Sequence, residues 1–113
     1  MSIRLTTILS FAALAASPAN ATKPPVLPIF AISDYPRQSL RQREEGSVRT
    51  RLLIGKTGMV KRCTILVGAT PTLDAATCRI LKERARFVPA RDSAGNAIAS
   101  TYDPPTISWR ISD

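Results

Sequence analysis

The chain has 113 residues, a formal net charge of +8, two cysteines and no histidine. That length allows at most one small domain with a modest core, and the missing histidine removes the commonest general base and metal ligand. A basic balance can attract nucleic acid, anionic lipid or an acidic partner, but Arg37, Arg41, Arg43, Arg49, Arg51, Arg62, Arg79, Arg84, Arg86, Arg91 and Arg110 are spread along the chain. They form no block interleaved with aromatics, so a solvated basic surface is the expected reading and nucleic acid is not an expected partner.

Residues 1–21 read as a secretory signal peptide. Met1 to Arg4 is a short positive start, Leu5 to Ala16 an apolar run, and Ala19-Asn20-Ala21 a small-x-small cleavage site. The rival is an uncleaved inner-membrane anchor, but the run is short of the ~20 residues a spanning helix needs and Ser17-Pro18 breaks it. Cleavage after Ala21 and a periplasmic location are therefore expected. Residues 22–34 form a short lead with three prolines, and 35–113 the domain proper.

The segment Asp34 to Gly46 predicts a brief helix, with Pro36 at its first position, Leu40 as its thin apolar stripe and Gly46 as its left-handed stop. From Ser47 the period changes to two. Val48, Thr50, Leu52 and Ile54 share one face of a strand, while Ser47, Arg49 and Arg51 share the wet one. Gly55-Lys56-Thr57-Gly58 predicts a hairpin turn. The returning strand places Cys63, Ile65 and Val67 on one face, and Val60 is out of phase with them, which predicts a bulge near Lys61.

A second helix is expected from Leu73 to Phe87, with Thr72 as N-cap and Asp74 at its positive end. Leu73, Ala76, Thr77, Ile80, Leu81 and Ala85 form one stripe that can lie on the sheet. Pro89 forbids the helix from continuing, Phe87 folds back onto the core, and Arg91 to Asn96 turns the chain into a last strand beginning near Ile98. Pro104 and Pro105 require that strand to lie at an edge or break in two, with the Tyr102 to Pro105 portion pairing poorly. Ile107, Trp109 and Ile111 alternate against Thr106, Ser108 and Arg110.

In an exported chain of this size, Cys63 and Cys78 are expected to form a disulfide, the alternative being two buried free thiols. Cys78 borders the helix stripe and Cys63 faces inward, as a bridge requires. Closing a loop of ~15 residues contributes around 3 kcal/mol in the chain-entropy model.

The order helix, strand, strand, helix, strand, with its words Tyr35-Pro36, Glu45 to Val60, Leu73 to Cys78, Arg86 to Ile98 and Ser108 to Ile111, resembles the C-terminal domain of the TonB family of periplasmic energy transducers. The resemblance implies an α+β fold with a three-stranded antiparallel sheet packed on two helices. It also implies a last strand that forms an exposed edge, to which an extended segment of an outer-membrane receptor adds by β-augmentation. In this sequence that peptide-binding edge would be Thr106, Ile107, Ser108, Trp109, Arg110 and Ile111, in a binding domain exported by itself. Self-association through the edge strands stays open.

Competing chemistry is thin. The stretch Thr50 to Thr57 resembles the end of a phosphate loop, but it lacks the first glycine and sits on a hairpin. Glu44, Glu45, Asp92 and Asp103 fall in separate loops, where solvated surface charge is expected. No catalytic residue, metal site or cofactor is expected. The second functional reading is an accessory envelope protein held near anionic surfaces by its basic face.

Overall fold

The computed structural model describes residues 30–112, so the expected signal peptide and most of the lead lie outside the described residues. The sheet is built on one long strand, β1 (Gly46–Ile54). Its alternation does what the sequence implies: Val48, Thr50, Leu52 and Ile54 are buried, and Arg49 and Arg51 are exposed. β1 turns through Gly55–Gly58, closed by the Gly58 amide on the Gly55 carbonyl at 3.0 Å, into antiparallel β2 (Val60–Val67).

Two register shifts interrupt this hairpin. Leu53 pairs with Arg62 and Ile54 with Val60, which makes Lys61 the expected bulge; Thr50 pairs with Ile65 and Arg49 with Val67, which adds a second at Leu66. Because side-chain orientation alternates along a strand, the second shift turns Val67 onto the outer face, where it is half exposed. The expectation that Val67 shares a face with Cys63 and Ile65 is corrected accordingly.

Helix α1 (Arg37–Arg41) begins after Pro36, which is its N-cap and not its first residue. It ends on Arg43, the left-handed residue at φ 55°, with the Glu44 amide donating to the Ser39 carbonyl. Gly46 is therefore not the stop. It opens β1, and it must be small because a Cβ there would lie 2.6 Å from the Ala69 Cβ. The buried residue of α1 is Ser39, donating to Glu44 Oε1 at 2.7 Å, while Leu40 is 42% exposed.

Helix α2 (Pro71–Arg84) is capped by Thr70, upstream of the expected Thr72; its hydroxyl accepts the Leu73 amide at 3.2 Å and Pro71 takes the first helical position. Asp74 accepts the Ala69 amide at 2.8 Å. The expected stripe of Leu73, Ala76, Thr77, Ile80, Leu81 and Ala85 is buried against the sheet. Cys78 beside it is bonded to Cys63 of β2, with Cα atoms 5.6 Å apart.

The helix stops before Pro89 is reached. Ala85 and Phe87 are both buried, and residues two apart lie ~200° apart on a helix but on one side of an extended chain, so burying both requires the chain to straighten. The straightened segment docks on the hairpin, the Phe87 amide donating to the Gly58 carbonyl at 2.9 Å.

Two short strands, β3 (Ala90–Arg91) and β4 (Ala97–Ile98), then form a separate hairpin. Asp92 Oδ1 closes its turn by accepting the amides of Ala94 and Asn96. The last strand of the main sheet thus starts at Ser100 and not at Ile98.

That strand is broken in two, as the prolines require. β5 (Ser100–Tyr102) pairs with Leu52–Ile54 and β6 (Ile107–Trp109) with Gly46–Val48, both antiparallel. Four residues, 103–106, span the distance that three residues of β1 cover, so Pro104 and Pro105 sit in a one-residue bulge. Of the portion expected to pair poorly, Tyr102 does pair with Leu52, whereas Asp103, Pro104 and Pro105 belong to no strand, as expected.

The fold is α+β, with β5 and β6 together filling the third position of the sheet, α2 packed on β1 and β2, and α1 against α2. The core has two adjoining parts: Leu52, Ile54, Val60, Leu81, Ala85 and Phe87 in one, and Val48, Leu73, Ala76, Ile80 and Trp109 in the other. Each fully buried large side chain contributes ~1.5–3 kcal/mol. Phe30 and Ile107 pack against both parts.

Candidate functional site

The expected edge residues Thr106 to Ile111 are contiguous along the open side of β6. Ile107 and Ile111 are half-buried and Trp109 is buried; Thr106, Ser108 and Arg110 are exposed. Only Ile107 to Trp109 form regular strand, and Thr106 belongs to the proline bulge.

Trp109 anchors the strand. Its indole N–H donates to Thr77 Oγ1 at 2.9 Å, and that hydroxyl donates to the Leu73 carbonyl at 2.8 Å. Phe30 and Tyr35 meet the indole edge-on, with centroids 5.7 and 5.2 Å away. The Tyr35 hydroxyl donates to the Glu44 carbonyl, and burial pushes its phenol up from the ordinary value. None of Phe30, Tyr35, Thr77 or Glu45 stands out in the sequence as part of this strand's support. The pairing of Trp109 with Gly46 brings them together.

Two observations fix which way the strand's amides point. The Ile111 amide donates to Glu45 Oε2 at 2.8 Å, on the β1 side. The Ser47 and Ser108 hydroxyls approach to 3.3 Å, the closeness of an opposed pair that does not exchange main-chain hydrogen bonds. Since main-chain groups alternate along a strand, the amides of Ser108 and Arg110 face away from β1, and among the described residues no strand pairs with them.

Near the bulge, Arg51 makes a two-pronged contact with Asp103, both bonds 2.9 Å. This hydrogen bond lowers the Asp103 carboxyl below its ordinary value and raises the Arg51 guanidinium above its own. The other carboxylates considered in the sequence are each engaged locally. Glu44 Oε1 accepts from Ser39 and Thr70, Glu45 holds the Ile111 amide, and Asp92 closes its own turn. They are not assembled into one site. Among the described residues no cluster of three or more His, Cys, Asp or Glu could hold a metal ion.

What this site offers is main-chain hydrogen bonding at the side of a sheet, on a strand held by a buried tryptophan. Searches of curated proteins and of solved structures return no match. A family model described as the C-terminal domain of the Gram-negative bacterial TonB protein matches residues 33–111, from the turn before α1 to the end of the β6 segment. With most of its length covered in this way, the chain belongs to the TonB C-terminal family.

Proposed function

We propose that this is a non-catalytic periplasmic binding domain of TonB-linked transport, which accepts an extended segment of an outer-membrane receptor or another envelope protein along the edge from Thr106 to Ile111. The outward amides of Ser108 and Arg110 carry this reading. They present donors to an incoming chain, whose own main chain supplies affinity while alternate side chains supply selectivity.

The opposite side of the sheet is a poorer template. β2 is bulged at Lys61 and Leu66, and bulges and charged side chains are the devices that blunt an edge. The bulge at Pro104 and Pro105 limits the accepting edge to β6 and the residues between Trp109 and Ile111.

The test compares Ser108→Pro with Arg110→Glu in affinity capture from envelope extracts, after circular dichroism has shown both variants folded. Ser108→Pro removes an outward donor and sets a ring against the incoming chain, so retention of the bound segment falls by about tenfold or more. Arg110→Glu leaves the main chain intact and has the smaller effect. A folded proline variant that retains the wild-type set of partners overturns the reading. Sedimentation of the two variants separates self-pairing of the edge from capture of a different protein.

A further inference from the structure

The face of the sheet turned away from the helices carries a charge pattern that edge pairing does not use. By register it displays Ser47, Arg49, Arg51 and Leu53 of β1 beside Arg62, Thr64 and Val67 of β2. At the hairpin end a groove of about 360 Å³ opens on the same face, lined by Leu53, Gly55, Lys56, Thr57, Lys61 and Ala99. Asp103, held by Arg51, is the carboxylate that reaches these cations.

The remaining described carboxylates are engaged elsewhere. Asp34 pairs with Arg84, Asp74 caps α2, Glu44 and Glu45 brace the α1 end and the Ile111 amide, Asp92 closes its turn, and Glu83 lies on α2 near Arg84. These acidic groups thus serve the helices, their caps and the small hairpin; on the open face Asp103 pairs with Arg51 and also acts on Arg49, and among the described residues Arg62, Lys56 and Lys61 are left without carboxylate partners there.

We infer that this open face docks on an anionic lipid surface through the phosphates of its headgroups. The arrangement is planar: Arg49 and Arg51 stand ~7 Å apart along one strand, Arg62 is on the neighbouring strand, and the lysines lie at one end. A single extended acidic chain follows one line beside one edge, whereas these cations spread in two dimensions. Leu53 and the half-exposed Val67 between them add apolar area suited to the headgroup boundary. Each Lys or Arg near such a surface strengthens binding several-fold. With this face on the lipid, the β6 edge lies parallel to the surface and stays accessible from the side, so the inference does not depend on edge pairing.

The experiment is co-sedimentation of the processed chain, purified from the envelope with its disulfide intact, with vesicles of phosphatidylcholine alone or mixed with phosphatidylglycerol. Binding is expected to the mixed vesicles above the phosphatidylcholine background, and to fade at high salt. Arg49→Gln combined with Arg62→Gln should lower the partition coefficient on the order of thirtyfold. Arg41→Gln combined with Lys82→Gln removes the same charge from exposed helix positions and should stay close to wild type. Ser108→Pro should bind vesicles as wild type does, which separates this test from that of the edge.

Equal loss in the two double variants overturns the inference in favour of diffuse net charge. Absence of binding to the mixed vesicles overturns it outright, and capture of polyglutamate without vesicle binding assigns the face to acidic peptide instead. Competition by low-millimolar inorganic phosphate would reduce the face to a single-anion site in the Lys56 and Lys61 groove, and would equally overturn the surface reading.

Discussion

Trp109 is the side chain on which the candidate edge depends, and its one polar atom is satisfied by one partner, Thr77 Oγ1. Thr77 is fully buried and Trp109 5% exposed, so water does not readily replace a lost bond. Thr77→Val keeps the shape but strands the indole N–H, and should cost about 1–3 kcal/mol. Thr77→Ser keeps the hydroxyl and should cost less. Urea unfolding followed by circular dichroism distinguishes the two, and equal stability of Thr77→Val and wild type would show that the bond contributes nothing net. The sequence places both residues inward by their periods but gives no sign that they meet. Their pairing depends on how α2 crosses the start of β1 and β6.

The hairpin between β1 and β2 shows how one element sets the end of another. Gly58 has φ 88°, and a Cβ there would lie 2.0 Å from the Phe87 carbonyl oxygen. Gly95, in the β3–β4 turn, has φ 89° with nothing within 4 Å. Gly95→Ala should therefore cost only the left-handed backbone term of about 1–2 kcal/mol. Gly58→Ala should cost that and also displace the segment that ends α2, lowering the thermal midpoint further and speeding amide exchange at Phe87. Equal losses would mean that the hairpin contact does not hold the segment. The turn at Gly55–Gly58 is legible in the sequence, but its docking on Phe87 is not, and Pro89 draws attention to a helix stop several residues too late.

Across the whole molecule, the Cys63–Cys78 bond ties β2, the sheet's outer hairpin strand, to α2. Replacing both cysteines by serine should cost on the order of 2–5 kcal/mol, the range for a small secreted domain. The loss should appear as a lower denaturant midpoint, and a double variant as stable as wild type would show that packing alone holds β2 to the helix. Among the described residues no helix is long and apolar enough to cross a membrane. The family match places the chain with Gram-negative envelope domains of energy-transducing, non-catalytic type.

Periodicity determined the inner face of β1, the packing stripe of α2 and the bulge at Lys61, and the missing amide donors of Pro104 and Pro105 required an edge or a break, because each depends on the local geometry of a few neighbouring residues. The pairing of the two cysteines is expected instead from the export signature of a small chain, and the bond between them removes the free-thiol alternative. The cap at Thr70, the outward turn of Val67, the early end of α2 and the support of Trp109 by Phe30, Tyr35 and Thr77 were decided by tertiary structure. In each, the outcome depends on a partner distant in sequence or on a one-residue change of register. The same is true of the candidate edge: the family resemblance implies its residues and alternation sorts their side chains, but the direction of their amides is seen only in the contacts with Glu45 and Ser47, which reach them across the folded sheet.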